Sequence, residues 1–123
     1  SDELDKIANA DELEIASLRS DGTLRKPVTV WVVRHSDDLY VRSAYSRNAA
    51  WFRGIQVRHE GQIRVDGVAK HVSFVDADAA LNDQIDAAYR SKYRRHGAQY
   101  VDMVVTPEAR FTTIRLVPLA RNP

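Results

Sequence analysis

The chain contains no cysteine, which excludes disulfide frameworks, thiolate metal sites, iron–sulfur ligation and cysteine nucleophiles together. An excess of charge of either sign is also missing: 18 Lys and Arg stand against 17 Asp and Glu, for a net charge of +1. Such a balance provides no global field to draw in nucleic acid or anionic lipid, so any charge-based function is local. Long apolar runs are absent as well. The most apolar stretch, Pro27 to Val33, falls far short of the roughly 20 residues that a membrane span needs. Ser1 to Lys6 mix acid and base with no apolar run behind them, unlike a secretory signal. The expectation is a cytoplasmic protein without membrane contact. What is present is 123 residues, 44% of them hydrophobic, enough for one core and a single domain over residues 1–123.

The order of local signals points to a β-rich fold interrupted by helices. Leu4, Ile7 and Ala8 suit a short helix or an arm within residues 1–11. Near-alternation from Glu12 to Arg19, followed by Ser20-Asp21-Gly22, reads as a first strand and turn. Pro27 to His35 is rich in β-branched and aromatic residues on both faces, as in a strand covered on each side. Ser36-Asp37-Asp38 joins it to a third strand, Leu39 to Ser43, in a hairpin. Trp51, Phe52 and Ile55 then take helical spacing, with Ser46 or Asn48 placed to cap the first turn.

Asp66-Gly67, between Gln62–Val65 and Val68–Val75, supplies the positive φ angles of a two-residue hairpin turn. A long helix capped by Asp76 or Asp78 carries Leu81, Ile85, Ala88, Tyr89, Lys92 and Tyr93 on one face and ends before Gly97. Tyr100 to Glu108 reads as irregular, with Pro107 as a breaker, before a last strand at Phe111–Val117. The sum is an α+β fold: a six-stranded antiparallel β-barrel with two or three helices packed on it, one of them across its opening.

At Gly22–Val28, Leu39–Ser43 and Asn48–Val65 the sequence resembles the flavin-binding split barrels of the pyridoxamine phosphate oxidase-like superfamily, particularly the deazaflavin-dependent nitroreductase branch. It looks closer still to an uncharacterised actinobacterial domain-of-unknown-function family beside them. The resemblance rests on Arg25 ahead of the Pro27-led strand, on Leu39-Tyr40-Val41-Arg42-Ser43, and on a loop followed by the Trp51 helix. It implies a split barrel that binds flavin mononucleotide (FMN) or a deazaflavin, with the phosphate between the basic strand and the loop after the third strand. The sequence departs from the family pattern where Ser43-Ala44-Tyr45-Ser46-Arg47-Asn48 lacks glycine and where Gly54 replaces an asparagine.

An anion site needs positive charge, hydroxyls and free amides at a helix start. Ser43, Ser46, Arg47, Asn48, Arg25 and Lys26 supply these types, Trp51 offers a face for a flat ring, and Tyr45 lies in the same loop. The plainer reading leaves a helix cap at Ser46 or Asn48 and solvated charges at Arg25, Lys26 and Arg47. Tyr45, Tyr89, Tyr93 and Tyr100 are candidates to orient a substrate, with Tyr89 and Tyr93 more at home in packing. No side chain is singled out as catalytic, because a flavin would carry the chemistry.

His35, His59, His71 and His96 form no ligand pair at helical spacing, so no metal is expected. The basic run Lys92 to His96 reads as a solvated face that complements the helix dipole rather than as a nucleic-acid site. The expected function is a flavin- or deazaflavin-binding oxidoreductase-like protein acting on a small organic substrate, as a homodimer. The alternative is a cofactor-free split barrel that binds a small molecule or acts through dimerisation.

Overall fold

The computed structural model describes residues 2–44 and 49–119. Six strands, β1 (Glu12–Ser17), β2 (Val28–His35), β3 (Asp38–Val41), β4 (Glu60–Val65), β5 (Val68–Asp76) and β6 (Ile114–Pro118), close into a barrel in the order β1-β2-β3-β6-β5-β4. Every pairing in it is antiparallel. Closure leaves no sheet edge open to another chain. The expected barrel is therefore the observed one.

Two tight turns set much of the register. Asp66 and Gly67 hold φ of 49° and 80° between the paired Val65 and Val68, as a two-residue hairpin requires. Ser36, with φ of 54°, turns β2 into β3 opposite the His35–Asp38 pair. Period-two alternation then sorts the side chains. Val30, Val32, Leu39, Val41, Ile63, Val65, Val72, Phe74, Ile114 and Leu116 fill the barrel interior. Val33 and Tyr40 face outward under a second cluster, so β2 is covered on both faces as its composition predicted.

Three helices of eight residues or more pack on this frame. α1 (Asp2–Asn9) is a formed helix and adds Ile7 to the interior cluster, and α2 (Ala50–Val57) adds Phe52 and Ile55. α3 (Asn82–Tyr93) lays Ile85, Tyr89 and Tyr93 on the outward face of β2 and β3. Asp78 caps the short 3₁₀ turn that leads into α3, whereas Asp76 is the last residue of β5. At α2 the capping position belongs to Ala49, which has no side-chain bond to offer, and Ser46 and Asn48 lie outside the described residues.

The stretch from Tyr100 to Glu108 differs from its sequence reading. It contains the end of α4 (Ala98–Asp102) and the start of α5 (Pro107–Arg110). Pro107 opens α5 because a first-turn residue has no intrahelical N–H bond to lose, and Thr106 caps it by accepting from the Ala109 amide. The last strand consequently begins at Ile114, not Phe111.

β1 stops pairing with β2 at Glu12–Trp31, so the Val32 N–H and C=O need partners from elsewhere. Tyr93 Oη accepts from the Val32 amide at 3.0 Å, and Lys92 Nζ donates to the Val32 carbonyl at 2.7 Å. The same ammonium donates to the carbonyls of Ala8 (2.8 Å) and Ala10 (2.6 Å), tying the end of α1 to the barrel. Lys92, read from sequence as part of a solvated basic face, is thus a half-buried staple.

Two predictions follow from this packing. A Cβ at Gly61 would lie 2.0 Å from the Ala16 carbonyl oxygen and 2.8 Å from Ser17 Cα, backbone atoms that have nowhere to go. Gly61→Ala is expected to lower urea-unfolding stability by about 3 kcal/mol, and a loss under about 1 kcal/mol would contradict the close approach. For Lys92, burial pushes the ammonium down to about 8, so above that pH the folded chain binds fewer protons than the unfolded one. Its contribution therefore makes stability rise with pH from about 8 toward 10. Burial raises the Tyr89 and Tyr93 phenols, which reverses the slope only above the ordinary phenol value of about 10. The urea midpoint of the native chain relative to Lys92→Met should climb across pH 8–10, and a flat difference would refute it.

Candidate functional site

The outward face of β2 carries Thr29 and Trp31, and the register sets Glu12 of β1 directly opposite Trp31. On β3 the same alternation turns Tyr40 outward and Val41 inward, so Arg42, the next residue, also points out of the barrel. Outward is not exposed here, because α3, α4 and the segment after α4 cover Arg42 completely.

A buried guanidinium requires acceptors for all five of its N–H groups. Arg42 finds them. Nε donates to Thr113 Oγ1 (2.8 Å), and Nη1 donates to Asp86 Oδ1 (2.5 Å) and the Val104 carbonyl (2.8 Å). Nη2 donates to the carbonyl and side-chain oxygens of Asn82 (3.2 and 3.3 Å). Arg110 adds a second cation to Asp86 at 3.4 Å and reaches Asp83 at 2.5 Å. This network fixes α3, the turn after α4 and the start of β6 against the end of β3. Sequence reading placed Arg42 in the family-like strand but had no means of locating Asp86, next to Ile85 of the helix stripe, as its counter-ion.

Between this network and α2 lies a cleft of about 210 Å³, bordered by Trp31, Trp51, Tyr100 and Met103 with Glu12 at its side. Thr29, Val30, Arg42, Ala44 and Val104 complete its wall. Trp31 is held by a parallel stack on Tyr93, ring centroids 4.1 Å apart at 1°, and Tyr93 itself is fixed through its hydroxyl. Trp51 meets Phe52 edge-on. Tyr89 donates to the Trp31 carbonyl at 3.2 Å. Both Tyr89 and Tyr93 are therefore packing residues, and burial holds their phenols protonated.

Of the residues expected to bind a cofactor, Trp51 lines the cleft. Ser43, between the cleft-lining Arg42 and Ala44, is buried, with its N–H donating to Thr112 Oγ1 (2.8 Å) and its hydroxyl without a protein partner. Arg25 is half-buried and lies across α2: a Cβ on Gly54 would come within 3.0 Å of its Cδ and Nε and 2.7 Å of Ser17 Oγ. Gly54 is therefore where the helix makes room for Arg25, in place of the asparagine of the family pattern. Arg25 Nε and Ser17 Oγ are buried there without protein partners. Lys26 is exposed at the approach to β2. Tyr45, Ser46, Arg47 and Asn48 lie outside the described residues, between Ala44 at the cleft and Ala49 at the start of α2. Sequence reading missed Glu12, Trp31 and Met103, although outward alternation along β2 was a signal for Trp31.

Among the described residues no three His, Asp or Glu side chains gather to hold a metal ion, and no helix is long and apolar enough to cross a membrane. The family model described as an uncharacterized protein conserved in bacteria (DUF2255) matches residues 3–116. The chain belongs to this family. A search of curated proteins finds no match.

Solved structures similar to this DUF2255 member include the heme storage protein HutZ of Vibrio cholerae (TM-score 0.66, 16% identity, 98% of this chain and 91% of that one). An FAD-binding protein from Mesorhizobium loti (TM-score 0.55, 14% identity, 99% and 90%) and an F420 reductase (0.53, 15%, 94% and 92%) share the architecture as well. At these identities the likeness is one of fold, that of the split barrels.

Removing the Asp86 carboxylate leaves the Arg42 charge buried and uncompensated. Asp86→Ala is expected to cost about 3–5 kcal/mol in chemical denaturation, while the double change Arg42→Met with Asp86→Leu costs far less. Equal losses for the single and double variants would show that the pair is not coupled.

Proposed function

We propose that this DUF2255 chain binds the ring of a flavin- or deazaflavin-type cofactor, FMN or a deazaflavin, against Trp51 in the aromatic cleft, and acts as an oxidoreductase on a small organic substrate. The observation that carries the reading is the layout of α2. Trp51 borders the cleft, and Gly54, three residues on and hence on the same helix face, is where Arg25 lies with an unpartnered Nε. A ring laid on Trp51 and an anionic tail led along the helix would meet a stacking surface and then the half-buried Arg25 side chain, in the order that a ring-bearing phosphate requires.

The residues fit the ring better than the whole cofactor. Apolar and aromatic walls suit a flat heterocycle, but about 210 Å³ is below the roughly 300 Å³ at which small-molecule pockets begin. The cleft takes one ring system and leaves the tail outside it. Arg25, Lys26, Ser43 and the loop residues Tyr45, Ser46, Arg47 and Asn48 are the groups proposed to hold that tail. When bound, such a cofactor supplies two-electron transfer. The chain contributes stacking at Trp51, donors for the phosphate and exclusion of water by Trp31, Tyr100 and Met103. Glu12 and the small volume favour the competing reading of a cofactor-free module.

Titration with FMN, riboflavin and a deazaflavin, followed by tryptophan fluorescence and thermal unfolding, separates the two. Binding should quench fluorescence and raise the melting temperature by several degrees at about 100-fold excess over Kd. Trp51→Ala should weaken FMN and riboflavin alike, by about tenfold or more, whereas Arg25→Ala should weaken FMN and leave riboflavin unchanged. No quenching and no thermal shift at millimolar concentration with any of the three would leave only the cofactor-free module.

A further inference from the structure

The charge of the aromatic cleft differs from that of its surroundings. Its walls hold three aromatic side chains, Trp31, Trp51 and Tyr100, and the thioether of Met103. Two charged side chains border it, Glu12 and Arg42. The guanidinium of Arg42 is fully buried, paired with Asp86, and has all five donors engaged with Thr113, Asp86, Val104 and Asn82. It offers neither a donor nor a net charge to a ligand. Glu12 is the opposite case: an exposed carboxylate that makes no ion pair among the described residues, set by the strand register directly opposite Trp31.

From this arrangement we propose that the cleft selects an organic cation, a small molecule bearing a quaternary or protonated amine, with the positive group between the ring faces and the Glu12 carboxylate. The faces of tryptophan and tyrosine carry the negative end of the ring quadrupole and attract a cation that sheds its water easily. The polarisable sulfur of Met103 adds a soft contact. An unpaired carboxylate beside low-dielectric aromatic walls strengthens the same preference and works against anions. The rigidity of the Trp31 wall, stacked on Tyr93, lowers the ordering cost of binding.

The proposal rests on the cleft already described and names the charge class of the substrate it would admit, but it does not require a bound flavin. Three probes of similar size and different charge test it: benzyltrimethylammonium, benzyl alcohol and benzoate, titrated into the full chain and read by tryptophan fluorescence and by the two indole N–H signals in NMR. The ammonium probe is expected to bind about tenfold more tightly than the alcohol, with benzoate weakest, and the preference should shrink with added salt.

Glu12→Gln, at an exposed strand position where the fold tolerates the change, should reduce the ammonium-to-alcohol ratio to within about twofold while leaving the alcohol unaffected. The proposal is overturned if benzoate or the alcohol binds as tightly as the ammonium probe, if Glu12→Gln leaves the ratio unchanged, or if none of the three binds. Failure of the flavin titration with the cation preference intact removes only the redox reading. Flavin binding without a cation preference removes only this one.

Discussion

A guanidinium buried out of reach of water has to be surrounded by acceptors, and the need to satisfy Arg42 organises one whole side of this protein. Its five donors reach α3 through Asp86 and Asn82, the segment after α4 through the Val104 carbonyl, and the start of β6 through Thr113. These pieces are far apart in the chain, and only the barrel closure between β3 and β6 brings them to one point. Burying such a pair is costly unless every hydrogen bond is made, so the arrangement tolerates little variation. Because Val104 follows Tyr100 and Met103 closely, the same network fixes the wall of the cleft. The stability of the outer layer and the shape of the site thus share one cause.

A second constraint acts where β1 ends. The backbone of Val32 continues past the last β1 partner, and a phenol and an ammonium from α3 complete what the strand leaves open. The consequence reaches the site, since Tyr93, once fixed by Val32 and Asp11, is the ring on which Trp31 stacks. The basic run at the end of α3 is divided by this arrangement. Lys92 is drawn under α1, and Arg95 pairs with Asp11. What reads in sequence as a patch is a set of unrelated contacts.

The site that emerges separates two kinds of chemistry along α2. Around Trp51 the surface is aromatic and the free charge is the carboxylate of Glu12. One helical turn away, at Gly54, lie the buried hydroxyl of Ser17 and the half-buried Arg25, whose Nε, like Ser17 Oγ, has no protein partner. Split barrels of the same fold include a heme storage protein and an FAD-binding protein, but a fold supports many chemistries and does not choose among them. Gly54 illustrates the point: a missing side chain, read first as a departure from a pattern, turns out to be the space that Arg25 fills.

Much of the barrel was legible because its signals are local. Asp66-Gly67 and Ser36-Asp37 turn the chain by their own backbone preferences, alternation sorts β2 and β3 into inner and outer faces, and the stripe on α3 follows from helical period. The family-like segments carried the fold correctly, and Trp51 within them borders the cleft. The tertiary structure alone decided that outward-facing Arg42 is buried, that Asp86 is its partner, that Lys92 is a staple, and that Trp31, Tyr100 and Glu12 border one cleft. It also turned Pro107 from a breaker into the first residue of a helix. The physical reason is the same throughout: backbone conformation and periodicity are set by near neighbours in the chain, whereas burial, charge pairing and the walls of a cleft are set by residues that meet only after the barrel has closed.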